Sequence, residues 1–139
     1  MRDASGGDDE GSVLLLTLGY AVLAIAVILV CVDATSLYLT QKRLDAMADA
    51  AALAGADGFT LTVVDGGPVA TLTDGAVHSQ AEALVTQLGG GATLVSAGTP
   101  DGVSARVTVA DVWHPPMVSL FVPEGVGLQA TATSRTALH

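Results

Sequence analysis

Two groups of side chains in this sequence have the residue types that catalysis uses. His78 precedes Ser79, and Asp111 lies shortly before His114. Nucleophilic catalysis needs a serine or cysteine beside a base that a third group orients. Neighbouring residues on a helix do not face each other, so His78 and Ser79 diverge if their segment is helical. Asp111 and His114 are better explained as a strand end and the turn that follows it. We therefore predict that the chain is not an enzyme.

Metal and cofactor sites are not predicted either. A zinc site needs three or four Cys, His or carboxylate ligands at suitable spacing. The three histidines, His78, His114 and His139, include no pair at i, i+4. Cys31 is the one cysteine of the sequence and lies in an apolar stretch, where a free thiol packs as a small hydrophobe. The sequence has no glycine-rich phosphate loop and no calcium loop. No cofactor and no small-molecule substrate are expected.

Charge and composition exclude one class of partner. The formal net charge is −9, with only five Lys and Arg residues against 14 Asp and Glu, and the basic residues form no stripe. Nucleic acid is bound by clustered Lys and Arg that displace phosphate counterions, so nucleic-acid binding is not expected. Hydrophobic residues make up 50% of the chain but aromatic residues only 4%. This apolar content suits close helix packing better than a bulky core.

The element that dominates the sequence is an uncharged, proline-free run from Ser12 to Val32. About 20 apolar residues, at a rise of 1.5 Å each, cross a hydrocarbon core of roughly 30 Å. Residues 12–32 are therefore predicted to be a transmembrane helix. Residues 1–11 are polar, glycine-rich and acidic, and are expected to be a leader or a disordered stub. Asp33 is interpreted either as a carboxylate at the membrane surface or as a buried partner for a positive group of a neighbouring subunit.

The same helix is predicted to continue past the membrane to Ala56. The segment from Asp33 has no proline and is rich in Ala, Leu, Met, Gln, Lys and Arg, which are good helix formers. A narrow apolar stripe follows one face of this continuation. Gly55 and Gly58 are expected to end the helix. The stripe consists of Leu37, Leu44, Met47, Ala51 and Ala54.

Residues 57–139 are predicted to form a small α+β head. Gly58–Thr73 is interpreted as a connector with one β-like run and a turn at 65–68. An amphipathic helix follows over Asp74–Leu88, with Asp74 as its N-cap. After glycines 89–91 the apolar period changes to two, which indicates about three antiparallel strands with the helix on one face. The predicted strands are 93–97, 103–110 and 126–135, and a Trp-His-Pro-Pro segment and an apolar turn at 117–122 connect the last two.

One segment resembles a known family. The residues LYLTQKRLDAMADAAALAGADG, from Leu37 to Gly58, are similar to the N-terminal region of TadE/TadG-like proteins, the pilin-like subunits of Tad (Flp-type) pilus-assembly systems. The resemblance implies a single-pass protein of the cytoplasmic membrane with an extracytoplasmic head. It also implies cleavage by a prepilin peptidase after Gly11, so that Ser12 begins the mature chain. Leu16 stands where such pilins usually have a glutamate, and the leader is acidic, which fits a minor or assembly subunit.

Two functions remain open from the sequence. The first is a non-enzymatic structural or assembly subunit, a minor pilin or pseudopilin, whose helix packs against other pilin-like subunits or assembly proteins in the membrane or in a surface pilus. The second is a membrane-anchored extracytoplasmic binding module, for which the helix is only a tether. The expected helix-packing residues are Gly19, Ala24, Asp33, Leu37, Leu44, Met47 and Ala51, and the expected contact patch of the head is Trp113, Met117 and Phe121.

Overall fold

One helix runs through more than a third of the protein. The computed structural model describes residues 6–136, and helix α1 extends without a break over Gly6–Asp57, which is 52 residues. At 1.5 Å per residue it is about 78 Å long. The long helix was predicted, but it begins at Gly6 rather than Ser12. An existing helix gains one hydrogen bond for each residue added, and acidic residues such as Asp9 and Glu10 are favourable near its N-terminal end.

A β-hairpin follows α1. Strand β1 (Thr60–Val64) pairs in antiparallel register with β2 (Gly67–Thr71). The two residues between them, Asp65 and Gly66, have φ of 52° and 82°. Positive φ at both central positions is the geometry of the tight turn that best matches strand twist. The sequence predicted the first strand and the turn, but not the second strand.

Helix α2 covers Asp74–Leu88, as predicted, but its cap differs. The N-cap is Thr73, whose Oγ1 accepts a hydrogen bond from the Ala76 N–H at 3.3 Å. The prediction of Asp74 as the cap was wrong. Asp74 is the first helical residue, and its Oδ1 accepts from the Thr99 N–H at 2.7 Å, which ties α2 to the turn after the next strand. Gly89, at φ 66°, ends the helix as expected.

Three strands complete an α+β head, which confirms the predicted fold class. Strands β3 (Thr93–Gly98), β4 (Ser104–Trp113) and β5 (Val126–Arg135) form one antiparallel sheet in the order β3-β4-β5. Alternate residues along these strands point to opposite faces of the sheet, one buried against the helices and one exposed. Val107 pairs with Ala132 on the buried face, whereas the hydroxyls of Thr108 and Thr131 lie 2.8 Å apart on the other.

The core of the head includes the C-terminal part of α1. This part packs against α2, β4 and β5. Its buried positions recur at intervals of three and four residues, which is a broad helical face rather than the narrow stripe of the prediction. Gly55 is buried within α1 and does not end it, because the helix continues to Asp57. The buried face of α1 comprises Leu44, Met47, Ala48, Ala51, Ala52, Gly55 and Ala56.

Candidate functional site

The part of α1 from Asp9 to Ile28, called below its uncovered apolar half, has no part of the head packed against it. Every side chain from Asp9 to Ile28 is exposed. Within the helix an 18-residue window reaches a mean hydropathy of 2.9, and none of that window is buried. By length and composition the helix can cross a membrane. The Thr17 hydroxyl donates to the Val13 carbonyl at 2.8 Å, so this polar group is satisfied without water.

The residues expected to pack against other subunits fall into two groups. Gly19 and Ala24 lie on the uncovered part of α1, and a methyl group built on Gly19 would meet no atom within 4 Å. Leu44, Met47 and Ala51 are 2%, 7% and 0% exposed. They are covered by the head of the same chain and are not available to a neighbour. A sequence pattern identifies an apolar face but not the surface that covers it. The expected processing pair, Gly11 and Ser12, lies inside α1 and is exposed.

Asp33 and Leu37 lie where the uncovered and covered parts of α1 meet, and both are half-buried. The Oδ1 of Asp33 accepts a hydrogen bond from the backbone N–H of Met117 at 3.1 Å. Its partner in this structure is therefore a peptide group of the same chain. Both interpretations of Asp33 from the sequence, a carboxylate at the membrane surface and a partner for a positive group of a neighbouring subunit, stay open beside this contact.

Further contacts fix the direction of the sheet against the helix. The indole Nε1 of Trp113 donates to the Ser36 Oγ at 3.1 Å, and the Gln41 Nε2 donates to the Gln129 carbonyl at 3.2 Å. At the other end, a methyl group built on Gly55 would lie 3.3 Å from the Ala105 Cβ. Strand β4 therefore runs antiparallel to α1, and its last residue lies beside Ser36, about one turn past the C-terminal end of the apolar run.

The β4–β5 connection carries the two most exposed large apolar side chains among the described residues of the head, Leu120 and Phe121. Leu120 is 93% exposed, Phe121 84% and Met117 51%. Of the expected contact patch, Met117 and Phe121 are thus at the surface, whereas Trp113 is half-buried and bonded to α1. The sequence marked the turn at 117–122 as apolar but did not single out Leu120. Alternation along a strand says nothing about which residue occupies the tip of a turn.

The residues with catalytic side-chain types are engaged elsewhere. The His78 Nε2 lies 3.6 Å from the Glu82 Oε2, one turn along the exposed face of α2. The Ser79 hydroxyl donates to the Ala76 carbonyl at 3.0 Å. The Oδ1 of Asp111 accepts from the N–H of its neighbour Val112 at 2.7 Å. Across the described residues, no three His, Cys, Asp or Glu side chains are grouped to hold a metal ion.

One groove of the head is lined by an arginine, an aspartate and a histidine. It has a volume of about 370 Å³ and lies between α1, the glycine loop after α2, and the end of β4. Arg43, Asp111 and His114 line it, beside the Trp113–Ser36 contact. This is a polar surface with room for a small group, but its side chains show no nucleophile–base pairing.

Comparison with known protein families gives a match that covers most of α1. The sequence model of a family described as "Putative Flp pilus-assembly TadE/G-like" matches residues 11–58. This segment is similar to that family. The resemblance seen in the sequence is thereby confirmed for this segment, which is about a third of the chain. No curated protein and no solved structure matches the chain.

The TadE/G-like segment coincides with a structural unit. It begins at Gly11, in the second turn of α1, and ends at Gly58, one residue after the helix ends. It therefore includes both the uncovered apolar half and the face that forms part of the core of the head. The remainder of the head lies outside the match. The description of the family concerns pilus assembly rather than a reaction.

Proposed function

We propose that the protein is a subunit of a Tad (Flp-type) pilus-assembly system, anchored in the cytoplasmic membrane by α1 with its head outside the cytoplasm. The observation that carries the proposal is the uncovered apolar half of α1. An apolar surface of this length needs lipid or other apolar helices around it. The TadE/G-like match lies on this helix, and the helix continues into the head without a joint.

The finer proposal is a minor pilin or assembly factor rather than a major pilin. Leu16 stands at the position where the pilins that this segment resembles usually have a glutamate. Gly19 and Ala24 are two of the small exposed residues that would let a partner helix approach closely. Leu44, Met47 and Ala51 are left out of this interface, because the head covers them. The partners would be other pilin-like subunits or assembly proteins of the membrane.

Mass spectrometry of sheared surface filaments and of the purified assembly complex tests the proposal. The chain is expected in one of the two, and deletion of its gene is expected to reduce piliation. Absence from both, with normal piliation in the deletion strain, would refute it. Sequencing the N-terminus of the native protein shows whether the leader is cleaved or retained, since a chain that begins at Ser12 has been cleaved after Gly11.

The proposed helix interface has a sharper test. Gly19→Ile adds a branched side chain where close approach is proposed, whereas Val22→Ile changes a residue that is already bulky and is 60% exposed. Tagged Gly19→Ile protein is expected to lose its partners in a co-purification, and Val22→Ile protein to keep them. If both variants retain their partners equally, Gly19 is not part of the interface.

The groove beside Arg43 supports a second candidate, an extracytoplasmic binding module. It offers Arg43, Asp111 and His114 to a small polar ligand or a peptide end. Substitution of Arg43 by Gln would then abolish ligand binding but leave the filament or complex intact. The first candidate is favoured, because the TadE/G-like match lies on the helix and this second role would leave the helix as a mere anchor.

A further inference from the structure

The β4–β5 connection lies at the level of the end of the apolar half of α1. Proceeding toward the N-terminus of α1, Gln41 contacts Gln129, Ser36 contacts Trp113, and Asp33 contacts Met117. The chain therefore descends along the helix as it leaves β4, and the Met117 backbone is fixed beside the first charged residue after the apolar run.

Burial along α1 shows how far this descent reaches. Side chains are exposed from Asp9 to Ile28, and Leu29 is the first that is half-buried. Val32 is 39% exposed, whereas Val30, on another face, is 67% exposed. Leu29, Val32 and Asp33 share one face of the helix, because they are three and four residues apart. The head thus covers one side of the last turn of the apolar run.

This geometry sets the depth of the turn relative to a bilayer. If residues 12–32 fill a hydrocarbon core of roughly 30 Å, the level of Leu29 is about 4.5 Å inside its boundary. A connection that reaches this level lies within the interfacial zone. Segments held in that zone bury apolar side chains by about 5–10 Å.

The turn has the composition and the hydrogen bonding that such a position requires. Between His114 and Glu124 its residues, PPMVSLFVP, carry no charge. The Met117 N–H is bonded to Asp33, and the N–H groups of Phe121 and Val122 both donate to the Val118 carbonyl, at 2.9 and 3.3 Å. The three prolines have no N–H to satisfy. Three of the six N–H groups of residues 117–122 therefore have partners within the protein. An interfacial position, unlike the hydrocarbon core, leaves the other three within reach of water and lipid headgroups.

We propose that the turn at 117–122 is a second membrane contact, which dips Leu120 and Phe121 into the interface of the leaflet beside the head. The occupant of this exposed apolar surface is lipid, because the surface is continuous with the uncovered half of α1 that the same bilayer surrounds. The proposal rests on the membrane anchorage proposed above. It makes the head a body that is held at the bilayer at two places, the helix and the turn.

Depth-dependent fluorescence quenching of the full-length chain tests this contact. Single cysteines are introduced in a Cys31→Ser background at Leu120, at Leu23 in the apolar half, and at Leu61 on the β1–β2 hairpin. Leu23 and Leu61 are 58% and 60% exposed, so the three substitutions leave the core untouched. Each variant is labelled with an environment-sensitive fluorophore and reconstituted in phosphatidylcholine–phosphatidylglycerol vesicles. Quenching by lipids with a nitroxide near the headgroup is compared with quenching by aqueous iodide.

The Leu120 label is expected to be blue-shifted and to be quenched several-fold more by the shallow nitroxide than the Leu61 label, which should respond mainly to iodide. Iodide quenching at Leu120 equal to that at Leu61 would overturn the proposal. Protection at Leu120 from both quenchers would also overturn it, since the turn is then covered by protein, such as a second copy of the chain, rather than by lipid. The Leu23 label reports the anchorage separately. If iodide quenches the Leu23 label, the proposed anchorage fails as well; if the Leu23 label is protected from iodide while the Leu120 label is not, the anchorage stands and only the second contact fails.

Discussion

The indole Nε1 of Trp113 donates a hydrogen bond to the Ser36 hydroxyl oxygen across 3.1 Å, which joins the last residue of β4 to the helix just beyond its apolar run. Trp113 is half-buried, and a methyl group built on Gly125 would lie only 2.7 Å from its carbonyl oxygen. The start of the β4–β5 connection is therefore held from two sides. Head and helix meet here as one packed unit.

Loss of the Ser36 hydroxyl should weaken this junction. Ser36→Ala leaves the half-buried indole N–H without its acceptor and is expected to lower the free energy of unfolding of the head by about 1 kcal/mol. Ser119→Ala, at an exposed position of the turn, is the control and should have no measurable effect. Trp113 is the one tryptophan of the chain, so exchange of its indole proton with solvent can be followed by NMR in micelles. Unchanged exchange in Ser36→Ala would contradict the prediction.

The head should not fold without the helix that completes its core. A chain that begins at Asp33 keeps Leu44, Ala51 and the rest of the buried face of α1, and is expected to be soluble and cooperatively folded. A chain that begins at Gly58 lacks this face and leaves the apolar side of the sheet uncovered, so it should aggregate or remain unfolded. Circular dichroism with thermal unfolding compares the two. A cooperative transition in the shorter chain would show that the head is an independent domain.

Alanine substitution of two leucines on opposite faces of α1 should lower the free energy of unfolding by very different amounts. Leu44 is 2% exposed, and Leu44→Ala is expected to lower the free energy of unfolding by about 2–5 kcal/mol. Leu53 is 57% exposed, and Leu53→Ala should change it by less than about 0.5 kcal/mol. Denaturant unfolding of the full chain in detergent measures both. Equal losses would mean that Leu53 also has a buried partner.

Gly55 should tolerate no side chain, although it is helical. An added Cβ would lie 2.9 Å from the Val77 Cγ1, which is fully buried and cannot move away freely. The clash, typically about 1–3 kcal/mol, outweighs the gain of about 1 kcal/mol in helix propensity. Gly55→Ala is therefore expected to lower the melting temperature. Gly75→Ala, in α2 with no atom within 4 Å of the new methyl group, should leave it unchanged or raise it.

The turn before β4 should give the head a stability that is lost in acid. The carboxylate of Asp101 accepts from the N–H groups of Val103 and Ser104 and from the Ser104 hydroxyl, at 3.0, 2.6 and 2.8 Å. The Val103 N–H, followed by the two Ser104 donors, lowers the pKa of Asp101 below its ordinary value. A lowered folded-state pKa favours folding above the unfolded value, about 3.9, and this gain disappears as the pH falls through the folded value.

Asp101→Asn is accordingly expected to melt at a lower temperature than the parent protein at pH 7. The difference in melting temperature between the two proteins should disappear as the pH falls below about 4, because the parent then loses the charge that Asp101→Asn lacks. Thermal unfolding of both proteins over a pH series measures it. The exposed Asp57→Asn serves as the control. A gap that stays constant down to pH 2 would mean that the charge of Asp101 has no part in it.

Periodicity and helix-forming composition were enough to predict α1, α2 and the alternating strands. These signals are local, because the spacing of apolar residues within a short segment indicates both the type of element and which of its faces is apolar. Strand β2 was missed since Gly67 and Pro68 at its start are typical of a loop, although a two-residue Asp-Gly turn favours a hairpin. The cap of α2 was misplaced by one residue because Thr73 and Asp74 are both good caps.

The features that could not be predicted from the sequence are those that depend on contacts between segments distant in the chain. Leu44 and Met47 were assigned to neighbouring subunits because an apolar helical face looks the same whether its cover is a partner helix or the sheet of the same chain. Gly55 was interpreted as a stop signal because its role depends on Val77, far away in sequence. The contact between Asp33 and Met117 has no sequence signature at all.

The unbroken course of α1 from Gly6 to Asp57 has a mechanical consequence. Because its C-terminal part is packed in the core of the head, a tilt, a twist or an axial pull on its apolar part is passed on to the head. In the proposed membrane-anchored subunit, a partner that binds α1 within the bilayer would thereby reorient the head without contacting it.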